Sequence, residues 1–164
     1  MRSQLLDSPF ELGLRAMMIL LHEYPKPMSC DRILFYDYYA TYNLDIVPSD
    51  KAVVVFPPYP YRNAEMYNKR DRMRKGLLYY AAKDLISVHC DSNGISYAAS
   101  VNTQWMGDSF ANNKFAKQYQ AALKQCSPIL NGMSDQEILL DSKSKMRNCD
   151  VPELHLHYEG GEEQ

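Results

Sequence analysis

Lys69, Arg72, Lys75 and Lys83 are the residues whose type and spacing most suggest chemistry. On a helix advancing ~100° per residue they share an arc with Glu65 and Tyr79, opposite Met66, Met73, Leu77, Leu78, Tyr80 and Ala81. Such an arc works by electrostatics: ammonium and guanidinium groups meet phosphate oxygens, and a guanidinium can also read a base edge. Glu65 and Asp71 dilute the charge, so the plainer reading, a solvated outer face, is slightly favoured. Arg70 and Arg74 differ because they fall inside the apolar arc. A cation there needs a buried carboxylate, a partner chain or a path to water. For Arg70 a structural ion pair is expected, with Asp7, Glu11 or Asp37 as its acid.

Covalent and metal chemistry find little support. His89 and Cys90 are neighbours on a strand, so they point to opposite faces and cannot form a nucleophile-base pair. His155 and His157 lie near Cys149, but their glycine- and glutamate-rich surroundings offer no scaffold to fix a metal's geometry. The four cysteines, Cys30, Cys90, Cys126 and Cys149, form no C-x-x-C pair and read as reduced thiols of a cytoplasmic protein. No phosphate-binding glycine loop, H-E-x-x-H or G-x-S-x-G motif occurs, and the carboxylates are not grouped as a nuclease metal site would require. A protein with no catalytic residue, metal or cofactor is the expectation.

The basic arc belongs to a helix of about five turns over residues 64–83. It is followed by two alternating segments, Leu85 to Cys90 and Ile95 to Ala99, around Asp91-Ser-Asn-Gly94, where Asn93 and Gly94 tolerate the positive φ of a tight hairpin. A long helix running into a hairpin is the last part of a winged helix. Upstream, Ser8-Pro9-Phe10-Glu11 is a helix start with a serine cap, a proline in the first turn and a capping-box glutamate. The helix it opens, to about Tyr24, is apolar around most of its girth, so it is either central to the core or covered by another chain. Ser29-Cys30-Asp31 opens a second helix to roughly Tyr42, whose Phe35, Tyr36, Tyr38, Tyr39 and Tyr42 form an aromatic core layer in preference to a base-stacking platform, because no cations interleave. Residues 43–62 are an insertion, with a possible short strand at Ala52 to Phe56 and an extended Pro57-Pro58-Tyr59-Pro60.

After the hairpin, Val101 to Phe110 carries Trp105. Asn113 to Gln125 reads as an amphipathic helix ending near Ser127-Pro128, and Ser134-Asp-Gln-Glu137 caps a short helix to Met146 suited to docking another subunit. The fold class is therefore mainly α with a small β-hairpin: a winged-helix-like domain over 1–99, a helical extension over 100–147 and a disordered tail over 148–164. With 164 residues and 46% hydrophobic content the chain supports one substantial core. A net charge of −2 and a pI near 6.1 give no global field toward nucleic acid or an anionic membrane. No signal peptide is expected, and Ala16 to Leu21 is far shorter than the roughly 20 residues of a membrane span.

Ser8-Pro-Phe-Glu-Leu-Gly-Leu-Arg15, Pro60-Tyr-Arg62 with Glu65 and Arg70, Gly76-Leu77-Leu78 and Gly94-Ile-Ser-Tyr97 together resemble the middle component of ABC-three-component systems, over approximately residues 6 to 125. This is the small subunit accompanying an SMC-like ATPase and an effector in Lamassu-type bacterial defence and the related Ddm anti-plasmid system. The resemblance implies a non-catalytic winged-helix-like subunit that binds the ATPase head region, the ATPase being a dimer, and helps hold a nuclease effector until foreign DNA is sensed. It also implies framework or interface roles for Arg15, Arg62, Glu65 and Arg70, and DNA contact through the complex more than by this chain. The rival is a stand-alone transcriptional regulator reading an operator with Lys69, Arg72 and Lys75; a third reading is an enzyme of unknown type.

Overall fold

The computed structural model describes residues 7–56, 62–110 and 112–149. Helix α1 (Pro9–His22) starts as its sequence dictates: Ser8 Oγ accepts the Glu11 N–H at 3.3 Å, with proline in the first turn. A short strand β1 (Met28–Ser29) leads into α2 (Cys30–Thr41), where Ser29 is both strand residue and cap, accepting the Arg32 N–H. A 3-10 turn (Asn43–Asp45) follows. The long helix α3 (Arg62–Ala81) runs into β2 (Ile86–Asp91) and β3 (Gly94–Ala99), and then come α4 (Val101–Phe110), α5 (Lys114–Asn131) and α6 (Asp135–Cys149). The described chain is thus mainly helical with one small antiparallel sheet, ordered β1-β3-β2. Helix, strand, helix, helix and hairpin in that sequence is a winged-helix-like order.

The hairpin register pairs Val88 with Tyr97 and Asp91 with Gly94. Gly94 supplies the positive φ, +119°, that a side chain would resist, whereas Asn93 instead donates its N–H to Asp91 Oδ1. On the other edge β1 pairs Met28 with Tyr97, so Met28 extends the face that Ile86, Tyr97 and Ala99 bury.

The girth of α1 is covered by this chain itself. Leu12, Ala16, Met17, Met18, Ile19 and Leu20 are buried in a core shared with α2, α3, α5 and α6, which decides between the two readings of that helix. The closest approach is α1 on α3, and two glycines permit it: a methyl group on Gly76 would sit 2.1 Å from the Pro9 carbonyl oxygen, and one on Gly13 2.5 Å from the Tyr80 ring. The aromatic residues of α2 form the expected core layer. Their hydroxyls reach out of it, Tyr36 donating to Asn131, Tyr38 to Asp45 and Tyr39 to Asp141.

Several expectations fail locally. Ala52 to Phe56 is not a strand; Gln125 holds this stretch instead, accepting the Val53 N–H and donating to the Lys51 carbonyl. Helix α5 does not stop at Pro128 but continues one turn to Asn131, because the proline is on the exposed side and the buried Cys126 and Leu130 keep the helix packed. Helix α6 runs to Cys149, beyond the expected end at Met146 and into the segment expected to be disordered. The rest of that tail, with His155 and His157, and the Pro57 to Pro60 stretch lie outside the described residues. No helix among the described residues is long and apolar enough to cross a membrane.

Candidate functional site

Among the described residues two places gather charge: a buried cluster beneath α1 and the outer side of α3. In the cluster, the Arg15 guanidinium meets both oxygens of Asp37, Nε at 2.8 Å and Nη2 at 3.0 Å, and Nη2 also reaches Asp7 Oδ1 at 2.8 Å. Tyr119 donates its hydroxyl to Asp37 Oδ1 at 2.7 Å, and Lys69 Nζ lies 3.3 Å from Asp7 Oδ2. Two cations thus face two carboxylates in a nearly dry site, the arrangement that makes burial of charge tolerable. Burial alone would lower the Arg15 pKa, but Asp37, Tyr119 and Asp7 outweigh it and hold it above its usual value. Burial, then Asp37, pushes the Tyr119 phenol well above the usual tyrosine range. Glu11, at the margin, is raised by its own desolvation. The charges of the cluster answer one another, so its chemistry is cohesion: it ties Asp7, two residues before α1, and Arg15 of α1 itself to α2, α3 and α5.

The outer side of α3 carries different cations from those its sequence pattern selects. Lys69, expected to point outward, is only 6% exposed and belongs to the buried cluster. The reason is a rotation of the buried stripe, which runs Lys69, Met73, Gly76, Leu77 and Tyr80 because Gly76 is where α1 presses closest. The same rotation brings Arg70 and Arg74 to the surface, overturning the expectation that they sit in the apolar arc. Arg70 pairs with Asp31, Nε to Oδ1 at 2.5 Å, not with Asp7, Glu11 or Asp37. Arg72 is half-buried and donates to the carbonyls of Asp7 and Asn68. Lys75 pairs with Asp71 one turn back at 2.7 Å, and Lys83 lies 4.9 Å from the centre of the Tyr79 ring. Of the framework residues, Arg15 is in the buried cluster and Arg70 on the rim. Arg62 and Glu65 fall in the first turns of α3, and their side chains lie outside the description.

Sequence reasoning missed Arg32, which ties down the C-terminal helices, but it did read the capping box of Ser134 and Glu137. Arg32 donates to the Leu130 carbonyl at the end of α5 and pairs with Asp135 at the start of α6, 2.5 Å away. Ser134 and Glu137 cap α6 reciprocally, each accepting the other's N–H. So held, α6 packs across α2 and α3 with Ile138 fully buried, and a groove of about 360 Å³ remains between the three helices. Leu34, Phe35, Met66 and Leu139 line it, with Asp31, Arg70, Asp135 and Lys143 among its charged residues. Elsewhere, Val101 and Trp105 stand exposed one turn apart on α4, the tryptophan 80% exposed. No group of metal-ligating side chains occurs among the described residues.

Compared with known proteins, the chain matches one family model, ABC-three component (ABC-3C) system Middle Component 2, over residues 5–149. The match takes in the 43–62 insertion and all of α6, beyond the 6 to 125 span of the resemblance. No curated protein and no solved structure matches.

Proposed function

The chain belongs to the Middle Component 2 family of ABC-three component systems, and from that premise we propose that it is a non-catalytic bridging subunit of an SMC-like ATPase defence complex against phage and plasmids. A middle component works with partner proteins. In this reading the partners are the ATPase, met at its head region, and a nuclease effector whose cutting this subunit couples to DNA sensing. ATP hydrolysis and strand cleavage belong to those partners, and DNA reaches this chain chiefly through the complex, in the cytoplasm.

The observation that carries the reading is the family match itself, which spans the winged helix and the helices after it. Two features support it. Three of the α3 cations that a DNA reader could aim at phosphates are engaged within the chain, Lys69 with Asp7, Arg70 with Asp31 and Lys75 with Asp71. Meanwhile Val101, Trp105 and Leu140 are large apolar side chains left at least two-thirds exposed, surface that a partner would cover.

Co-expression with the ATPase of the same system tests the proposal. A stoichiometric complex is expected, with the isolated chain self-associating or poorly soluble. The winged-helix order of elements keeps the regulator as the rival reading. A chain that ignores the ATPase, binds one operator sequence with a steep salt dependence, and loses that binding on Arg74→Glu with Lys75→Glu would establish it instead.

A further inference from the structure

We propose that the groove between α2, α3 and α6 is the seat of an amphipathic helix of the ATPase component, which inserts bulky apolar side chains and brings a carboxylate to Lys143. The inference rests on the bridging role proposed above and names the surface that performs it.

In a helix-turn-helix the second helix meets base edges with its N-terminal half. Here α2 and α3 are that pair, and the N-terminal half of α3, at Met66 and Arg70, faces the groove where α6 lies across it. The floor is Leu34, Phe35, Met66 and Leu139. A phosphate pressed onto such a floor would lose its water without gaining donors, whereas an apolar side chain would gain from burial. The volume, about 360 Å³, is in the range of cavities that enclose a bound group. Leu139 is 39% exposed and Leu140 beside it 68%, so α6 carries an apolar strip from the groove onto the open surface, as a helix-in-groove contact requires.

Charge decides which partner helix fits. Asp31 is held by Arg70 and Asp135 by Arg32, so the acids on the rim are already neutralised. Lys143 lines the same groove, is exposed, and pairs with no carboxylate among the described residues. The charge left over is positive. It complements an acidic residue flanking the anchors and repels a basic helix.

The test is the affinity of the purified full-length chain for the ATPase component, with melting midpoints measured on every variant. Leu139→Glu is expected to weaken binding about tenfold or more, and Lys143→Glu about three- to tenfold with a flatter salt dependence. Lys117→Glu, an exposed reversal on α5, is expected to change affinity less than about twofold. Lys143 and Lys117 are exposed, so their variants should melt with the wild type, and Leu139→Glu, at a side chain 39% exposed, should melt within about 5 °C of it and stay folded at the assay temperature. Wild-type affinity in both groove variants would overturn the groove while leaving the bridging role intact. Failure of the unaltered chain to bind the ATPase would overturn the bridging role, and with it the groove. Loss of duplex-DNA binding in the groove variants, with ATPase affinity unchanged, would reassign the site to nucleic acid and also overturn the proposal.

Discussion

On α3, the Lys69 side chain is 8% exposed and faces Asp7, while one residue later the Arg70 side chain is 60% exposed and faces Asp31. Both are cations beside an aspartate, yet they belong to regions with opposite physics. Around Lys69, charges have left water and each must be answered by a neighbour, so removing one leaves another stranded. Around Arg70, water screens both partners and can replace either. The inner region therefore governs whether the chain folds, and the outer one is free to govern what it touches.

Removing Arg15 should show the inner region at its strongest. Arg15→Ala leaves Asp37 and Asp7 without their guanidinium, and we expect a loss of about 3–5 kcal/mol in urea unfolding. A loss under about 1 kcal/mol would erase the distinction between the two regions. Gly76→Ala comes next. Its methyl would collide with the Pro9 carbonyl, backbone that cannot swing away, so we expect a cost of about 2 kcal/mol despite alanine's better helix propensity.

Alkaline pH sharpens the comparison without a mutation in the cluster. Burial pushes the Cys126 thiol from 9.0 up to about 12, and burial with Glu23 nearby pushes the Tyr36 phenol from 10.0 to about 12. Both groups are raised in the folded state, so their contribution is complete below the unfolded pKa and is lost as pH climbs through the interval to the folded one. Stability should thus fall from about pH 9 upward, and Cys126→Ala, although less stable at neutrality, should show a shallower slope there. An unchanged slope would mean the thiol is not the titrating group. The smallest effect belongs to the outer region: Arg70→Ala should cost about 0.5 kcal/mol or less, and a value near that of Arg15→Ala would break the comparison.

Helix starts, the hairpin and the aromatic layer were legible because each is written locally: Ser8, Ser29 and Ser134 cap where their side chains can reach, and Gly94 turns where only glycine is comfortable. The facing of α3 was not legible, since a wheel shows which residues share an arc but not which arc a neighbour selects. That choice is made by contact between Gly13 and Gly76, a meeting of two helices that neither helix's own pattern reveals. Strand β1 was missed because two residues have no period to detect, and the path of residues 43–56 because it depends on Gln125, far along the chain. The outer cations were only partly seen: Lys69 turned inward and Arg72 is half-buried, while Arg70 and Arg74 took the surface instead. Their spacing could not reveal that Asp31 and Asp71 already engage two of the exposed cations.

The central claim, that this winged helix meets a protein through a face others turn to DNA, is tested most directly by fluorescence anisotropy of the labelled chain at physiological salt. Titration with the ATPase component should raise the signal to saturation, while duplex DNA over the same range leaves it unchanged. Saturation by duplex with no response to the ATPase would contradict the account.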